Sequence, residues 1–559
     1  MAVSVGTVSA SAHASFPVSA GLADGLASAG VRQLFGMPGG GPNLDMIGAA
    51  AERGIGFTLA HGETAACVMA GAYGLLTGTT GVAVVTRGPG VTSAANGLAQ
   101  ASLDRAPLLV LSDCVPAAQR ARTGHQRLDQ LAATLPLTRW NGTLGHRDPA
   151  GVARAAALLA YGPPAGAVHL DYDPGVPGDV PPAPPLPAPV DDVALRRATA
   201  LAGGARRPVV ILGAGAAATA AEPRVALGAV PVLTTYQALG CVDASGPGAA
   251  GLFTNAALER PLLERADLII GVGLDGIEPM PGAWTYPAPV LLLGDTATGT
   301  EADDAYFGTP LRVAGPPGRT LAAVLAATDP TWPADAGRVH RDGRLAELAG
   351  GERSGDRGAA EPTGDRDASE LTAEGGGLHP VDLARAVAEA AGGAQVTVDA
   401  GAHMLAVMPF WPATRPHQVL ISNGLATMGY SLPAAVGAAL ARPGQRVFCL
   451  VGDGGLGMTL AELETVARLA LPVTVVVFDD AALSLIEIKQ RAGQGGAGAV
   501  RFDPVDFAGV AAAMGVPAAT ADRPDDVRAA LGRAPAGPFL LDARVDPAGY
   551  RHLLSVSRG

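Results

Sequence analysis

The stretch that decides the fold covers residues 447–490 and reads VFCLVGDGGLGMTLAELETVARLALPVTVVVFDDAALSLIEIKQ. It opens with five apolar residues, as expected of a buried strand. The glycine-rich residues 452–455 come next, and because glycine disfavours the helix we predict a turn there. Thr459 and Glu462 have the spacing of a capping box, which predicts the start of a helix. Residues 473–478 then predict a second buried strand, so the stretch indicates a βαβ unit with parallel strands.

Two aspartates follow these strands. Asp453 comes just after the first strand and Asp480 just after the second. Because the carboxyl ends of neighbouring parallel strands meet at the edge where open α/β sheets bind ligands, we expect the two carboxylates to lie close together. Mg²⁺ usually takes one or two carboxylates together with phosphate oxygens. The spacing alone leaves a second interpretation open, in which both acids are solvated turn residues.

The GDG sequence at 452–454, followed after the next strand by the acidic pair 479–480, resembles the thiamine diphosphate fingerprint of the acetolactate synthase-like family. The resemblance implies that Asp453, Asp480 and the main-chain carbonyl of Ala482 hold Mg²⁺ on the cofactor diphosphate. The family usually has asparagine at the position of Asp480, so this site would carry an additional negative charge. Besides Asp453, the cofactor contacts implied for this loop are Gly452, Gly454 and Gly455.

Composition limits the classes of protein to consider. The chain has 559 residues, of which 48% are hydrophobic and 16% charged, so it is long enough for three globular domains. Its net charge of −12 argues against nucleic-acid and anionic-membrane partners. The four cysteines form no C-x-x-C pair, which disfavours a disulfide framework or a zinc site. Without a secretory leader or a long apolar run, a cytoplasmic protein is expected.

The order of strand-like and helix-like segments predicts an α/β protein of three domains, each with a mostly parallel sheet flanked by helices. The resemblance identifies them as a pyrimidine-binding domain at 16–182, a Rossmann-like domain at 190–340 and a diphosphate- and Mg²⁺-binding domain at 378–550. The Gly-rich, charged segment 341–377 is predicted to be a flexible linker. Residues after about 550 are expected to be exposed.

Three turns of the first domain extend the resemblance: FGMPGG at 35–40, GETAA at 62–66 and TRGPG at 86–90. The family has similar turns in this order, which implies cofactor contacts at Pro38, Gly39 and Pro89. The resemblance also implies that Glu63 is the carboxyl group that bonds the pyrimidine ring of the cofactor and promotes loss of the thiazolium C2 proton. From its position alone, Glu63 could instead be an acid that stabilises the first turn of a helix.

The segment RTGHQRL at 122–128 carries the candidate substrate contacts. Gln126 matches a family glutamine that reaches the reacting carbon. His125 stands where branched-chain acetolactate synthases usually have phenylalanine, and the His-Gln pair looks more like carboxyethylarginine synthase. His125 is therefore a candidate proton donor or substrate-orienting residue, although a lone histidine is more often structural.

Two loops of the third domain complete the cofactor contacts implied by the resemblance. DAGAH at 399–403 matches the family loop that touches the diphosphate, so Gly401 and His403 are candidate phosphate contacts. GLATMGY at 424–430 matches the segment whose bulky residue, here Met428, bends the cofactor, and whose carbonyl, here that of Ala426, accepts from the pyrimidine amino group. Without the flanking match, Met428 would be interpreted as core filler.

The middle domain contains one weak cofactor signal. A strand at 208–212 enters Gly213-Ala214-Gly215, but a lone G-x-G is weak evidence for a dinucleotide site. Some relatives bind FAD here without redox use. Because Gly273-Leu274-Asp275-Gly276 replaces an Arg-rich segment of the FAD-binding enzymes, the sequence leans against FAD.

Together these patterns favour a thiamine diphosphate-dependent carboligase that decarboxylates a 2-oxo acid, such as pyruvate, and adds the product to a second electrophile. The alternative is a decarboxylase or aldehyde lyase that protonates the same species. A third hypothesis, a homologue that binds the cofactor without turnover, is disfavoured by the intact Glu63, Gln126 and Asp453. In the family, the glutamate and the metal site of one active site come from different subunits, so a homodimer or homotetramer is expected.

Overall fold

The computed structural model describes residues 17–218, 228–294, 307–350, 377–490 and 497–559. They form three α/β units, and each unit is built on a sheet of six parallel strands flanked by helices. The predicted fold class is therefore confirmed. No helix within these residues is long and apolar enough to cross a membrane.

The first sheet has the strand order β2-β1-β3-β4-β6-β5. Its strands are β1 (Gln33–Met37), β2 (Gly56–Leu59), β3 (Gly81–Val85), β4 (Leu108–Asp113), β5 (Trp140–Leu144) and β6 (Ala167–Tyr172). The helices around it are α1 (Pro17–Ser28), α2 (Pro42–Glu52), α3 (Glu63–Thr77), α4 (Pro89–Leu103), α5 (Gln130–Thr134) and α6 (Pro149–Tyr161).

The second sheet has the order β12-β11-β10-β7-β8-β9. Its strands are β7 (Pro208–Leu212), β8 (Val232–Thr234), β9 (Ala249–Leu252), β10 (Leu268–Val272), β11 (Val290–Gly294) and β12 (Leu311–Ala314). Its helices are α7 (Asp192–Ala202), α8 (Ala214–Ala218), α9 (Arg260–Leu263), α10 (Pro317–Ala326) and α11 (Ala336–Ala349).

The third sheet has the order β14-β13-β15-β16-β18-β17. Its strands are β13 (Gln395–Val398), β14 (Val419–Ile421), β15 (Val447–Gly452), β16 (Val473–Asp479), β17 (Ala518–Ala521) and β18 (Phe539–Arg544). Its helices are α12 (Pro380–Ala391), α13 (His403–Val407), α14 (Ser431–Ala441), α15 (Asp453–Thr459), α16 (Glu462–Arg468), α17 (Ser484–Lys489), α18 (Phe507–Ala513), α19 (Pro524–Arg533) and α20 (Ala548–Arg558).

The βαβ unit at 447–490 is present, but its helical part differs from the prediction. Helix α15 begins at Asp453, directly after β15, so the predicted glycine turn is wrong. A side chain at Gly455 would meet Asp399 Oδ2 at 2.0 Å, so close packing requires glycine at this helical position. The predicted capping box is also wrong, because the helix breaks between α15 and α16, and Thr459 Oγ1 is buried without a hydrogen-bond partner among the described residues.

Other differences lie near the ends of the domains. Helix α20 covers most of the residues expected to be exposed after 550, and Leu553 on it is fully buried because the helix packs on the core of the third domain. Helix α11 continues into the start of the predicted linker, since Leu348 packs into the same core. Residues 351–376 of that linker lie outside the described residues.

The first and third domains share a core. Helix α3 packs across α14, and the two meet where Gly437 approaches the backbone of Met69. A side chain at Gly437 would come within 2.2 Å of the Met69 carbonyl oxygen. Cys67 on α3 and Val436 on α14 belong to one buried cluster, so these two domains pack as a single body within the chain.

Candidate active site

The acidic loop after β15 and β16 has the arrangement that the sequence predicts. Gly452 pairs with Phe478 in parallel register, so Asp453 and the residues after Phe478 emerge at the same edge of the sheet. Asp453 begins α15 and is buried, with 6% of its surface exposed. Asp480 is partly exposed, and its carboxylate accepts from the Ser484 hydroxyl at 2.6 Å and from the Ala482 amide at 3.2 Å.

The two carboxylates repel each other. Burial raises the pKa of Asp453 to about 7, and the Asp480 charge adds to that rise. Burial likewise raises the pKa of Asp480 to about 6. A cation between them would relieve both costs. Within the described residues no group of three or more His, Cys, Asp or Glu side chains is placed to hold a metal ion.

Asp479, the first member of the acidic pair, has a different partner. Its buried carboxylate forms an ion pair with Arg544 on the neighbouring strand β18. Ala481 adopts a positive φ of 54°, which turns the chain after Asp480. Asp479 is therefore held by an arginine, whereas Asp480, the candidate ligand predicted from the sequence, bonds Ser484 and the Ala482 amide.

His403 provides the best test of whether a diphosphate fits this edge. Its ring is 3% exposed, and Nε2 is buried without a hydrogen-bond partner in the described chain. Burial lowers the pKa of His403 to about 4. The ring lies against Gly401 and Gly452, where added side chains would come within 2.8 Å and 3.3 Å of it. A phosphate oxygen beside Nε2 would favour the protonated ring and accept a hydrogen bond from it, which would remove the cost of an unpaired buried nitrogen, so the site fits a phosphate ligand.

The loop that carries Ala426 and Met428 is fixed by a residue that sequence reasoning overlooked. The buried Asp399 carboxylate accepts from the amides of Gly429 and Tyr430, both at 2.9 Å. Met428 Cε lies about 3.6 Å from the position that a side-chain carbon at Gly454 would occupy, so the methionine lies against the glycines that follow β15. The position of Asp399 directly after β13, at the same sheet edge, is the signal that could have identified it.

Ala426 is exposed and adopts a positive φ of 54°. This conformation is uncommon for a non-glycine residue and costs on the order of 1 kcal/mol. The hydroxyl of Ser422 accepts from the amide of Thr427 and braces the turn. The loop therefore holds the Ala426 peptide in a fixed orientation at the surface of the third domain.

Glu63 lies on the other half of the candidate site, at the first position of α3. Its side chain is partly exposed and makes no hydrogen bond or ion pair with another described residue. Oε1 is 3.5 Å from the position that a side-chain carbon at Gly90 would occupy. Glu63 is thus a half-open carboxylate beside the TRGPG turn, in a place where a ligand can reach it.

Gln126 packs against the same turn. Gly88 has a φ of 64°, and a side chain there would meet the Gln126 carbonyl oxygen at 3.0 Å. The buried Gln130, also overlooked in the sequence, accepts from the Gly88 amide at 2.7 Å and donates to Asp171 at 2.6 Å. The structure therefore brings Gln126 to the turn that Glu63 faces, whereas His125 is exposed at the surface.

The FGMPGG turn lies at the carboxyl end of β1, beside β3 in the sheet. The Gly39 amide donates to Asn43 at 2.8 Å, and a side chain at Gly39 would collide with Thr86 at 2.3 Å. Pro38 and Pro89 are therefore held near each other at one sheet edge, because Thr86 begins the TRGPG turn.

The two halves of the site adjoin different helices of the third domain. The turn before Glu63 contacts α16 through His61 and Glu462, whereas Asp453 begins α15, nine positions before Glu462 in the chain. Exposed apolar side chains surround both halves: Met37 (42% exposed), Leu44 (57%), Met458 (61%), Ile486 (50%) and Phe502 (49%).

In the middle domain, a side-chain carboxyl group lies at the G-x-G turn, where a dinucleotide phosphate would bind. The buried carboxylate of Glu278 accepts from the Ala214 amide at 3.0 and 3.1 Å and from the Asp275 amide at 2.9 Å, and it also bonds the hydroxyl of Thr235. A side chain at Gly213 would meet Glu278 Oε2 at 2.5 Å. The G-x-G turn is therefore occupied by a carboxyl group of the same domain.

Comparisons with known proteins agree with this geometry. Residues 17–133 match the family described as thiamine pyrophosphate enzyme, N-terminal TPP binding domain, and residues 399–543 match its C-terminal TPP binding domain. The chain is 29% identical to acetolactate synthase of Bacillus subtilis (strain 168), over 95% of this chain and 94% of the relative. It is 30% identical to the catabolic acetolactate synthase of Raoultella terrigena, over 88% of each chain. It is also 30% identical to the acetolactate synthase large subunit of Parasynechococcus marenigrum (strain WH8102), over 85% of this chain and 78% of the relative.

Proposed function

Because the chain belongs to the acetolactate synthase-like family of thiamine diphosphate enzymes, we propose that it decarboxylates pyruvate and joins the remaining two-carbon unit to a second carbonyl compound. The protein is thus a thiamine diphosphate-dependent carboligase of the transferase class. The observation that carries the proposal is the half-open carboxylate of Glu63 in one half of the site, together with the buried Asp453 and the buried His403 ring in the other half. The decarboxylase alternative is not favoured, since the matched relatives are acetolactate synthases.

Bound thiamine diphosphate supplies the carbon nucleophile that attacks a 2-oxo acid and accepts the electrons released with CO₂. The chain contributes binding and proton handling. His403 and the glycines at 401 and 452 receive the diphosphate, and Met428 and the Ala426 carbonyl orient the ring system. Glu63 holds the proton shared with the pyrimidine ring, a task that needs a carboxyl free of other partners.

Asp453, Asp480 and the Ala482 carbonyl are the proposed Mg²⁺ ligands. What supports this assignment is the mutual repulsion of the two carboxylates, which a bound cation would relieve. Gln126, held beside the turn that faces Glu63, is proposed to contact the substrate. His125 is exposed in the single chain, and its proposed role is to orient the acceptor at the entrance.

We further propose that the working unit is at least a homodimer. In it, Glu63 of one chain faces residues 452–455, the proposed metal loop, of the other chain. The contacts of the two half-sites support this arrangement, because the turn before Glu63 contacts α16, whereas Asp453 begins the preceding helix, α15. So do the exposed apolar side chains around both halves, such as Met37 and Met458, which a second copy would cover. FAD has no place in this proposal, since Glu278 fills the turn that would hold it.

The test is ¹³C-labelled pyruvate incubated with purified protein, thiamine diphosphate and Mg²⁺ but no flavin, with the products followed by NMR. We expect labelled CO₂ and a labelled acetolactate-type product, from a protein whose absorption spectrum shows no flavin band. Trials with other 2-oxo acids and aldehydes identify the acceptor. Acetaldehyde as the only organic product would favour the lyase, and a flavin that remains bound through purification would contradict the assignment of Glu278.

A further inference from the structure

Glu462, the glutamate of the apparent capping box, does not cap its helix. It begins α16, is 1% exposed, and is buried at the boundary between the first and third domains. Its Oε1 accepts from the main-chain amide of His61 at 2.9 Å, and its Oε2 accepts from the Thr465 hydroxyl at 2.7 Å. Both oxygens are therefore used, and one of them bonds the backbone two residues before Glu63.

The start of α3 depends on contacts from outside its own domain. Gly62 is the N-cap, in an extended conformation with φ of −156°, and it has no side chain to cap the helix. Three contacts reach this turn from α16. They join Glu462 to the His61 amide, Glu464 to the His61 ring at 2.8 Å, and Arg468 to the Leu59 carbonyl at 2.7 Å.

Of these three contacts, only that of Glu462 uses a buried carboxylate. Glu464 and the ring of His61 are 39% and 41% exposed, and pairs at the surface contribute little because water screens them. A hydrogen bond to a buried carboxylate contributes more, because water does not compete for it. The Glu462 bond is therefore the strongest of the three contacts that fix where α3 begins.

We propose that Glu462 is a positioning residue for the reaction, which fixes the His61-Gly62 turn across the domain boundary and so sets the place of the Glu63 carboxylate. The inference rests on the proposed function of Glu63. Misplacing a reacting group by about 1 Å can cost on the order of 100-fold in rate, so a contact two residues away is close enough to matter. The same segment, 453–468, thereby carries the metal loop at one end and the support for Glu63 at the other.

The test compares Glu462→Ala with Glu462→Gln. The amide of glutamine can accept from the His61 amide and donate to Thr465, so it preserves the turn, whereas alanine removes both bonds. We expect Glu462→Ala to lower both kcat and the rate of C2 proton exchange of the bound cofactor by about 10- to 100-fold, with cofactor affinity changed only a few-fold. Glu462→Gln should stay within about 5-fold of the wild-type protein in both measurements.

Glu464→Gln is the matched control, since it weakens the exposed contact to the same histidine and should leave both rates near the wild-type values. If Glu462→Ala does not fold, Glu462→Asp withdraws the carboxylate by one methylene and should lower the exchange rate by a smaller factor. Unchanged exchange in a folded Glu462→Ala or Glu462→Asp variant would overturn the proposal. Loss of cofactor affinity at an unchanged exchange rate would also overturn it, because that pattern indicates support of the metal loop instead.

Failure of the function proposed for Glu63 gives a different result. In that case Glu63→Gln would exchange the C2 proton as fast as the wild-type protein. If Glu63→Gln slows the exchange and Glu462→Ala does not, only the positioning role is wrong.

Discussion

Glu63→Gln is expected to abolish turnover of pyruvate while thiamine diphosphate still binds. Glutamine has nearly the same shape but cannot hold the proton that the carboxyl group shares with the cofactor. General acid–base groups contribute about 10²–10⁴-fold, so we expect kcat and the C2 proton exchange rate to fall about 1,000-fold. Steady-state kinetics and NMR of the bound cofactor in deuterium oxide measure the two effects.

A loss of protein stability would not explain the expected fall in turnover of the Glu63→Gln variant. Glu63 stands in the first turn of α3, where an acid stabilises a helix by about 0.3–1 kcal/mol through the macrodipole. A 1,000-fold loss corresponds to about 4 kcal/mol of transition-state stabilisation. Glu52→Gln is the control, because Glu52 is an exposed carboxylate in the same domain, paired with Arg53. A Glu63→Gln enzyme with at least a tenth of wild-type turnover would contradict the catalytic role.

Asp453→Asn is expected to weaken binding of Mg²⁺ and thiamine diphosphate much more than Asp480→Asn does. Asp453 is buried at the start of α15, whereas Asp480 is partly exposed. Changes to the groups that only support a metal ligand cost about 10–100-fold, so removing the charge of the buried ligand Asp453 should cost at least ~100-fold in affinity. Asparagine is the residue that the family usually has at the position of Asp480, so we expect Asp480→Asn to change the affinity only a few-fold.

Isothermal titration with Mg²⁺ and thiamine diphosphate together measures both affinities, and thermal unfolding shows that each variant is folded. Neither substitution should lower the stability of the protein without ligands, since each relieves repulsion between buried carboxylates. Equal losses from the two variants would contradict the assignment of Asp453 as the principal ligand. Wild-type affinity in Asp453→Asn would exclude it as a ligand.

The sequence predicted the sheets well where strands are short and apolar. The strand at 447–451 and the strand at 473–478 both appear with ends that shift by one residue. Strands such as β5 (Trp140–Leu144) and β17 (Ala518–Ala521) were not predicted, because they lie at the sheet edges and are not continuous apolar runs. Edge strands face a neighbour on one side only and so tolerate polar residues.

The candidate site was predicted less completely than the fold. The residues that belong to family motifs, such as Asp453 and His403, lie together at one sheet edge, as the order of strands requires. Residues that support the site through tertiary contacts carry no local pattern, and so Asp399, Gln130 and Glu278 were missed. Glu462 was misinterpreted for the same reason: its spacing from Thr459 indicated a local cap, but its hydrogen-bond partner is His61, some 400 positions away in the chain.

The central claim is that Glu63 and the Asp453 loop act in one site built from two copies of the chain. The most direct test combines two inactive variants, Glu63→Gln and Asp453→Ala, by co-expression with different affinity tags. If the site spans two chains, each mixed dimer contains one site with both residues intact, and random pairing should restore about one quarter of wild-type activity. If mixed dimers form but remain as inactive as either parent, the two residues do not act together across a subunit interface, and the account is contradicted.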